Sequence, residues 1–320
     1  MKHIYIAAPA NRFTGGPTLA HQLCKELINQ GHEAKMYYYR YKKNQPAVHA
    51  GYEKFNIPFV TALPKDDENT LIVVPETAPD ILKHYSKAKK VIWWMSVDNY
   101  FDKYLQSKRN KILNVGGLLK YDVFSSKNYH LAQSQYAIDF LLSKNINKEN
   151  IFYLSDYVDD IFLENEWSPE NRKKQVVYSP KRGFEFTKAI MDELSDVSFI
   201  PLQNMSQSEM IQVMNQSMLY IDFGNHPGKD RIPREAALCG CCIITGKEGS
   251  AKNSVDVSIP EKYKFEAPLE EVSKISNTIR EILLNYSTEI NNFESYRNKI
   301  LKEKGEFAID VEKIFTSLCK

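Results

Sequence analysis

No stretch of this chain is apolar for long enough to cross a bilayer; its longest hydrophobic runs fall far short of the ~18 residues a span requires. Cysteine is sparse, five residues in 320, odd in number and irregularly spaced. That excludes a disulfide framework and points to a reducing compartment. Glycine and proline number only 13 and 14, as in an ordinary globular composition, and no low-complexity tract is present. An excess of one charge sign is missing too. The net is +2, which gives no global field for nucleic acid, so no nucleic-acid partner is expected. The opening Met1-Lys2-His3-Ile4-Tyr5-Ile6 lacks the apolar core and small-residue cleavage site of a signal peptide. Together these absences predict a cytoplasmic protein.

Several motifs are absent as well. There is no His-Glu-x-x-His, no paired Cys-x-x-Cys and no Asp-x-Asp, so no metal is expected. Gly15-Gly16 belongs neither to a Gly-x-Gly-x-x-Gly nor to a Gly-Lys-Ser/Thr run, which argues against a dinucleotide site and a P-loop. No cofactor is predicted.

What is present is an alternation of short apolar strands and amphipathic helices. His3–Ala8 reads as a strand, Pro9–Gly16 as a loop, and from Pro17 apolar residues recur every four positions (Leu19, Leu23, Leu27), the spacing of a helix face. His21, Lys25, Glu26 and Asn29 fall opposite, Gly31 stops the helix, and Ala34–Tyr39 returns as a strand. Further strands are predicted at 71–74, 91–95, 131–134 and 151–154. Residues 155–170, rich in acidic side chains and Asn, read as a linker. A second series then begins at Gln175, with strands at 175–178, 198–202, 218–223 and 242–245 and helices at 187–194, 208–215 and 233–239. Residues 268–319 are mostly amphipathic helix. The fold class is therefore α/β, with two Rossmann-like lobes of parallel strands, and ligands are expected at the strand C-termini.

Six of the 13 glycines lie between 183 and 249. In that lobe the loop Tyr178-Ser179-Pro180-Lys181-Arg182-Gly183 puts two cations at a strand end, where they can clamp a diphosphate or form a plain solvated turn. The loop Gly224-Asn225-His226-Pro227-Gly228-Lys229-Asp230-Arg231-Ile232 leads to a helix expected to start at Pro233, whose N-terminus favours phosphate. Glu235 is expected in the first turn, as a helix-start carboxylate or as acceptor for a ribose diol. In the first lobe Glu76 and Asp98 each follow a strand, placed to position or deprotonate a hydroxyl or simply to cap a turn. The aromatic and basic segment 100–120, with Lys103, Lys108, Arg109 and Lys111, reads as a solvated helix face or as a contact with the inner face of an anionic membrane. Cys239 and Cys242 form a Cys-x-x-Cys, but in helix-then-strand order, which favours buried thiols over redox chemistry.

The run Arg234-Glu235-Ala236-Ala237-Leu238-Cys239-Gly240-Cys241-Cys242-Ile243-Ile244-Thr245 resembles the donor-site signature of GT-B glycosyltransferases, especially family-4-like enzymes of bacterial surface polysaccharide synthesis. The resemblance implies a GT-B-like fold with a C-terminal helix crossing back to the first lobe. The domains are then 1–160 with 290–320 for an acceptor and 161–289 for a nucleotide-sugar donor. It implies donor contacts at Gly15, Gly16, Lys181, Arg182, His226, Gly228, Arg231, Arg234 and Glu235, with Lys181, Arg182, Glu76 and Asp98 as catalytic candidates. The implied partners are a nucleoside diphosphate sugar and a glycan or lipid-linked acceptor. One departure stands out: where the family carries a first glutamate, this chain has Pro227. A nucleotide-sugar 2-epimerase-like enzyme or a non-catalytic nucleotide-sugar-binding subunit uses the same layout.

Overall fold

The computed structural model describes residues 2–106, 121–266 and 268–320. The chain divides into two units, Met1–Asp156 with Gly305–Lys320, and Tyr157–Lys304. Among the described residues the first unit carries a seven-stranded sheet in the order β3-β2-β1-β4-β5-β6-β7, and the second a five-stranded sheet in the order β12-β11-β10-β8-β9. Every pairing between these strands is parallel.

In the first unit the strands are β1 (His3–Pro9), β2 (Ala34–Tyr39), β3 (Phe59–Val60), β4 (Thr70–Pro75), β5 (Lys89–Trp94), β6 (Asn128–Ala132) and β7 (Ile151–Tyr153). Chain order runs outward from β1 to β3, then restarts at β4 on the other side. The switch point is thus β1/β4. All six residues of β4 are buried, as a central parallel strand covered on both faces requires.

The helix Gly15–Asn29 starts two residues ahead of Pro17. Pro17 still lies in the first turn, where its missing N–H leaves no hydrogen bond unmade. His21, expected on the outer face, is in fact 1% exposed. Its Nε2 meets the Tyr38 hydroxyl at 2.7 Å, its Nδ1 meets the Pro17 carbonyl at 2.6 Å, and its ring stacks on Tyr52 at 3.9 Å. The aromatic turn Ala50–Phe55 covers that face, which a helical period alone does not reveal. Burial lowers the His21 pKa to about 4, against the Pro17 hydrogen bond, which raises it.

In the second unit the strands are β8 (Lys173–Tyr178), β9 (Ser198–Pro201), β10 (Ser217–Asp222), β11 (Cys242–Gly246) and β12 (Lys264–Phe265). The switch point is β8/β10. Helices Phe184–Glu193, Gln207–Asn215, Arg231–Leu238 and Pro268–Leu284 connect or flank them. Gln207–Asn215 begins in a capping box, with the Ser206 hydroxyl accepting from the Glu209 N–H and the Glu209 carboxylate accepting from the Ser206 N–H. The expected linker 155–170 is no free tether: Val158 and Phe162, four apart, are buried in the second unit's core. The thiols of Cys239, Cys241 and Cys242 are also buried, and burial pushes that of Cys241 up to about 12.

The long helix Glu294–Leu318 gives its first part to the second unit and its last to the first. Gly305 lies inside it, exposed, and a Cβ built there meets no atom within 4 Å. Nothing steric therefore requires glycine. Gly305→Ala should raise stability by about 0.5–1 kcal/mol through helix propensity and a less disordered unfolded chain. Thermal or urea unfolding measures this, and a destabilised variant would show that the helix needs its weak point.

Candidate functional site

The loops that leave β8 and β10 bring together Arg182, Asp222, His226 and Asp230. They approach backbone to backbone: a Cβ at Gly183 (φ +61°) would lie 2.6 Å from the Phe223 carbonyl carbon and oxygen, and one at Gly224 would lie 2.3 Å from the Arg182 Cβ. Neither position can hold a larger residue without moving the other loop.

Asp222, the last residue of β10, is buried beneath this contact. Its Oδ1 accepts from the Gly224 N–H at 2.9 Å and its Oδ2 from the Tyr220 hydroxyl at 2.8 Å. Arg182 lies across the loop, with Nη2 3.7 Å from Asp222 Oδ2 and Nη1 donating to Asp230 Oδ2 at 2.8 Å and to the Asn225 carbonyl at 2.6 Å. His226 is fully buried, with Nδ1 2.8 Å from Asp230 and Nε2 3.8 Å from Asp222. Burial opposes its charge, but the hydrogen bond to Asp230 and the two carboxylates outweigh that and raise its pKa. The loop is clamped from the far side, where the Ser250 hydroxyl donates to the Gly228 carbonyl at 2.6 Å and the Ser250 N–H to the His226 carbonyl at 2.8 Å.

The helix Arg231–Leu238 begins earlier than the sequence suggested, with Asp230 as N-cap. Glu235 therefore sits in the second turn, and the first-turn dipole does not explain it. Its carboxylate is nearly buried, with Oε1 3.7 Å from Arg231 Nε, while Arg231 Nη2 reaches Asp159 at 3.1 Å. Arg234, expected among the donor contacts, is fully buried. Its guanidinium donates to Glu303 at 2.7 Å, the Asp230 carbonyl at 3.1 Å and the Lys229 carbonyl at 3.2 Å. It faces inward because Glu303 and the loop carbonyls draw it there. Lys181, by contrast, is exposed.

In the first unit the expected residues gather at the β1/β4 switch point and the adjoining end of β5. Gly15 and Gly16 open the helix after β1. A Cβ at Gly15 would meet no atom within 4 Å, and one at Gly16 would touch the Met95 side chain at 3.7 Å. Packing therefore does not demand either glycine. Glu76, directly after β4, is 3% exposed and accepts from the Met95 N–H at 3.1 Å. Burial raises its pKa to about 7, against hydrogen bonds from the Met95 and Glu76 N–H groups and the Lys103 charge. Asp98, in the helical turn Val97–Asn99, accepts from the Tyr136 hydroxyl at 3.0 Å.

No family model matches the chain, and no curated protein matches it in sequence. Solved structures do. HepE of Anabaena, in complex with UDP and glucose, superposes with a TM-score of 0.67 at 15% identity, covering 99% of each chain. The sucrose-phosphate synthase of Thermosynechococcus elongatus gives 0.66 at 12% identity, again over 99% of each chain. WaaG, a glycosyltransferase involved in lipopolysaccharide biosynthesis, gives 0.59 at 12% identity over 95% of this chain and 98% of its own. The fold is that of the GT-B glycosyltransferases.

Within this GT-B fold, Lys181, Arg182, His226, Gly228, Arg231 and Glu235 come together around the β8/β10 switch point, while Gly15, Gly16, Glu76 and Asp98 lie at the strand ends of the first unit. Sequence reasoning missed Asp222 and Glu303. Asp222 reads as an ordinary polar strand end, and Glu303, flanked by Lys302 and Lys304, reads as solvated helix. Lys108, Arg109 and Lys111 of the candidate membrane contact lie outside the described residues. No helix among the described residues is long and apolar enough to cross a membrane, and no described group of three His, Cys, Asp or Glu could hold a metal ion.

The buried Glu76 makes a pH-dependent prediction. Its folded pKa of about 7 lies above the unfolded value, so below pH 4 it is protonated in both states and contributes nothing. As pH rises from there toward 7, ionisation favours the unfolded chain and stability falls. Glu76→Gln should therefore match the wild type near pH 4 and exceed it above pH 7, by on the order of 3 kcal/mol. Urea unfolding at pH 4 and pH 8 provides the comparison. A constant difference across pH would mean that Glu76 titrates normally.

Proposed function

We propose that the chain is a glycosyltransferase that moves a sugar from a nucleoside diphosphate to a hydroxyl of a glycan or glycolipid acceptor in surface polysaccharide synthesis. The observation that carries this reading is the β8/β10 switch point. There Arg182 is held in place by the buried Asp222 and the partly exposed Asp230 beside the exposed Lys181, under loops that approach through glycine. Parallel α/β sheets receive ligands at such points. HepE, of the same fold, has been crystallised with UDP and glucose, which agrees with a nucleotide-sugar donor here.

In the proposed reaction Lys181 and Arg182 offset the negative charge that develops on the leaving diphosphate. Arg182 is preorganised, because Asp230 and the Asn225 carbonyl fix its guanidinium before any ligand arrives. Glu235 accepts from the ribose hydroxyls, and His226, Gly228 and Arg231 shape the loop around the donor. In the first unit Gly15 and Gly16 let backbone approach the transferred group. Glu76 is the candidate for taking the acceptor proton, since a buried carboxyl with a pKa near 7 can exchange a proton at neutral pH. Asp98 orients the acceptor. Arg234 is assigned to the support of the loop.

Lys181→Ala should weaken binding of UDP or GDP by about tenfold while leaving the corresponding nucleoside nearly unaffected, because a charge-assisted contact to phosphate is lost. Isothermal titration with both ligands is decisive; equal losses would make Lys181 a bystander.

Glu235→Gln replaces one acceptor oxygen with a donor and should lower nucleoside diphosphate affinity about ten- to a hundredfold. A 2′,3′-dideoxy analogue should bind both proteins weakly and alike. Unchanged affinity for the natural nucleotide in the mutant would remove Glu235 from the ribose.

A further inference from the structure

The helix Glu294–Leu318 sends one carboxylate into the base of the loop that carries this site. Glu303 is nearly buried, and its two oxygens are divided between two cations. Oε1 lies 2.7 Å from Lys229 Nζ, and Oε2 lies 2.7 Å from Arg234 Nη1. Both cations are buried as well, at 5% and 0% exposure. Arg234 does not stop at Glu303. Its Nε and Nη2 turn back to the carbonyls of Asp230 and Lys229, so the carboxylate, through Arg234, fixes the backbone just before the helix Arg231–Leu238. The side chain of Asp230, one of the residues so fixed, is what holds Arg182 and His226.

A buried ion network is a poor route to stability, since apolar side chains of similar volume often do as well or better, whereas removing one partner leaves an uncompensated charge. What the charged group supplies, and an apolar cluster cannot, is direction: a guanidinium aimed at two named carbonyls. We propose that Glu303 is the positioning residue of the donor loop, holding residues 228–235 in the form that receives a nucleoside diphosphate. This rests on the donor reading given above and adds to it a residue far along the chain that touches no ligand itself.

Three variants test it: Glu303→Gln, Glu303→Asp, and a triple apolar replacement, Lys229→Met, Arg234→Leu and Glu303→Leu. Each is followed by amide hydrogen exchange, by thermal unfolding, and by titration with UDP, GDP, ADP and CDP. The expected result for Glu303→Gln is faster exchange in 226–235, unchanged exchange in β8 and β10, and nucleotide affinity lower by about tenfold or more. Glu303→Asp should recover part of that loss. The triple variant should regain thermal stability yet keep the fast exchange and weak binding, a separation that a merely structural role would not produce. If the triple variant or Glu303→Gln binds nucleotide like the wild type, or keeps its 226–235 amides protected, the proposal is overturned. Should the wild type bind none of the four nucleotides, the donor reading falls, and hydrogen exchange alone then decides whether Glu303 holds the loop.

Discussion

A carboxylate sealed inside a protein is tolerated only where cations and donors replace the water it has lost, and Asp222 sets that condition for the whole second unit. It ends the central strand β10 with no exposed surface on its side chain, so its surroundings must supply everything. The Gly224 N–H and the Tyr220 hydroxyl donate to its oxygens, and Arg182 brings the charge, with His226 Nε2 3.8 Å away. Asp230, later in the loop that follows β10, shares both Arg182 and His226 with it. The close approach of Gly183 to Phe223 and of Gly224 to Arg182 is the geometric counterpart: a side chain at either glycine would move Arg182 away from Asp222.

The parts of the fold that could be read in the sequence are those fixed by local periodicity. Leu71–Val74 and Val176–Tyr178 read as strands because a parallel strand covered on both faces is a continuous apolar run. The basic pair at Lys181 and Arg182 was conspicuous because it directly follows such a run. Phe59–Val60 and Lys264–Phe265, each two residues at a sheet edge, carry no periodic signal at all. The start of the helix at Arg231 was hidden by Pro233, which favours the first helical position but is tolerated anywhere in the first turn. That shift of two residues changed the meaning of Glu235, from a carboxylate explained by the dipole to one that the dipole leaves unexplained.

Other features depended on residues distant in sequence, and no window around them could show their role. His21 is polar by composition and buried in fact, because Tyr38 and Tyr52 arrive from other elements, one to meet its Nε2 and the other to cover its ring. Arg234 was expected as a ligand contact from the family resemblance; its partner Glu303 lies on the last helix. In each case a polar residue was assigned to solvent or substrate when another part of the chain satisfied it. Fold and site therefore differ in legibility: the superposition on HepE at 15% identity reflects a pattern of layers that many sequences satisfy, whereas function resides in side-chain constellations.

The charge balance of the β8/β10 site also constrains how an anion could enter it. Arg182 and His226 already share Asp222 and Asp230, and Lys229 and Arg234 share Glu303. A diphosphate near Arg182 must therefore compete with Asp230 for the same guanidinium, and part of the attraction is offset by the contact it weakens. Lys181 differs, since it is exposed and has no carboxylate to surrender among the described residues. In the proposed reading it would supply attraction at longer range, while Arg182 would supply direction once the ligand is close. Added negative charge nearby would favour the protonated form of His226 further, in the direction its carboxylate neighbours already push it. A site built this way binds an anion less tightly than bare cations would. In the proposed transfer its donors would already be oriented when charge appears on a leaving group, and such orientation is the part of electrostatic stabilisation that acts on the transition state.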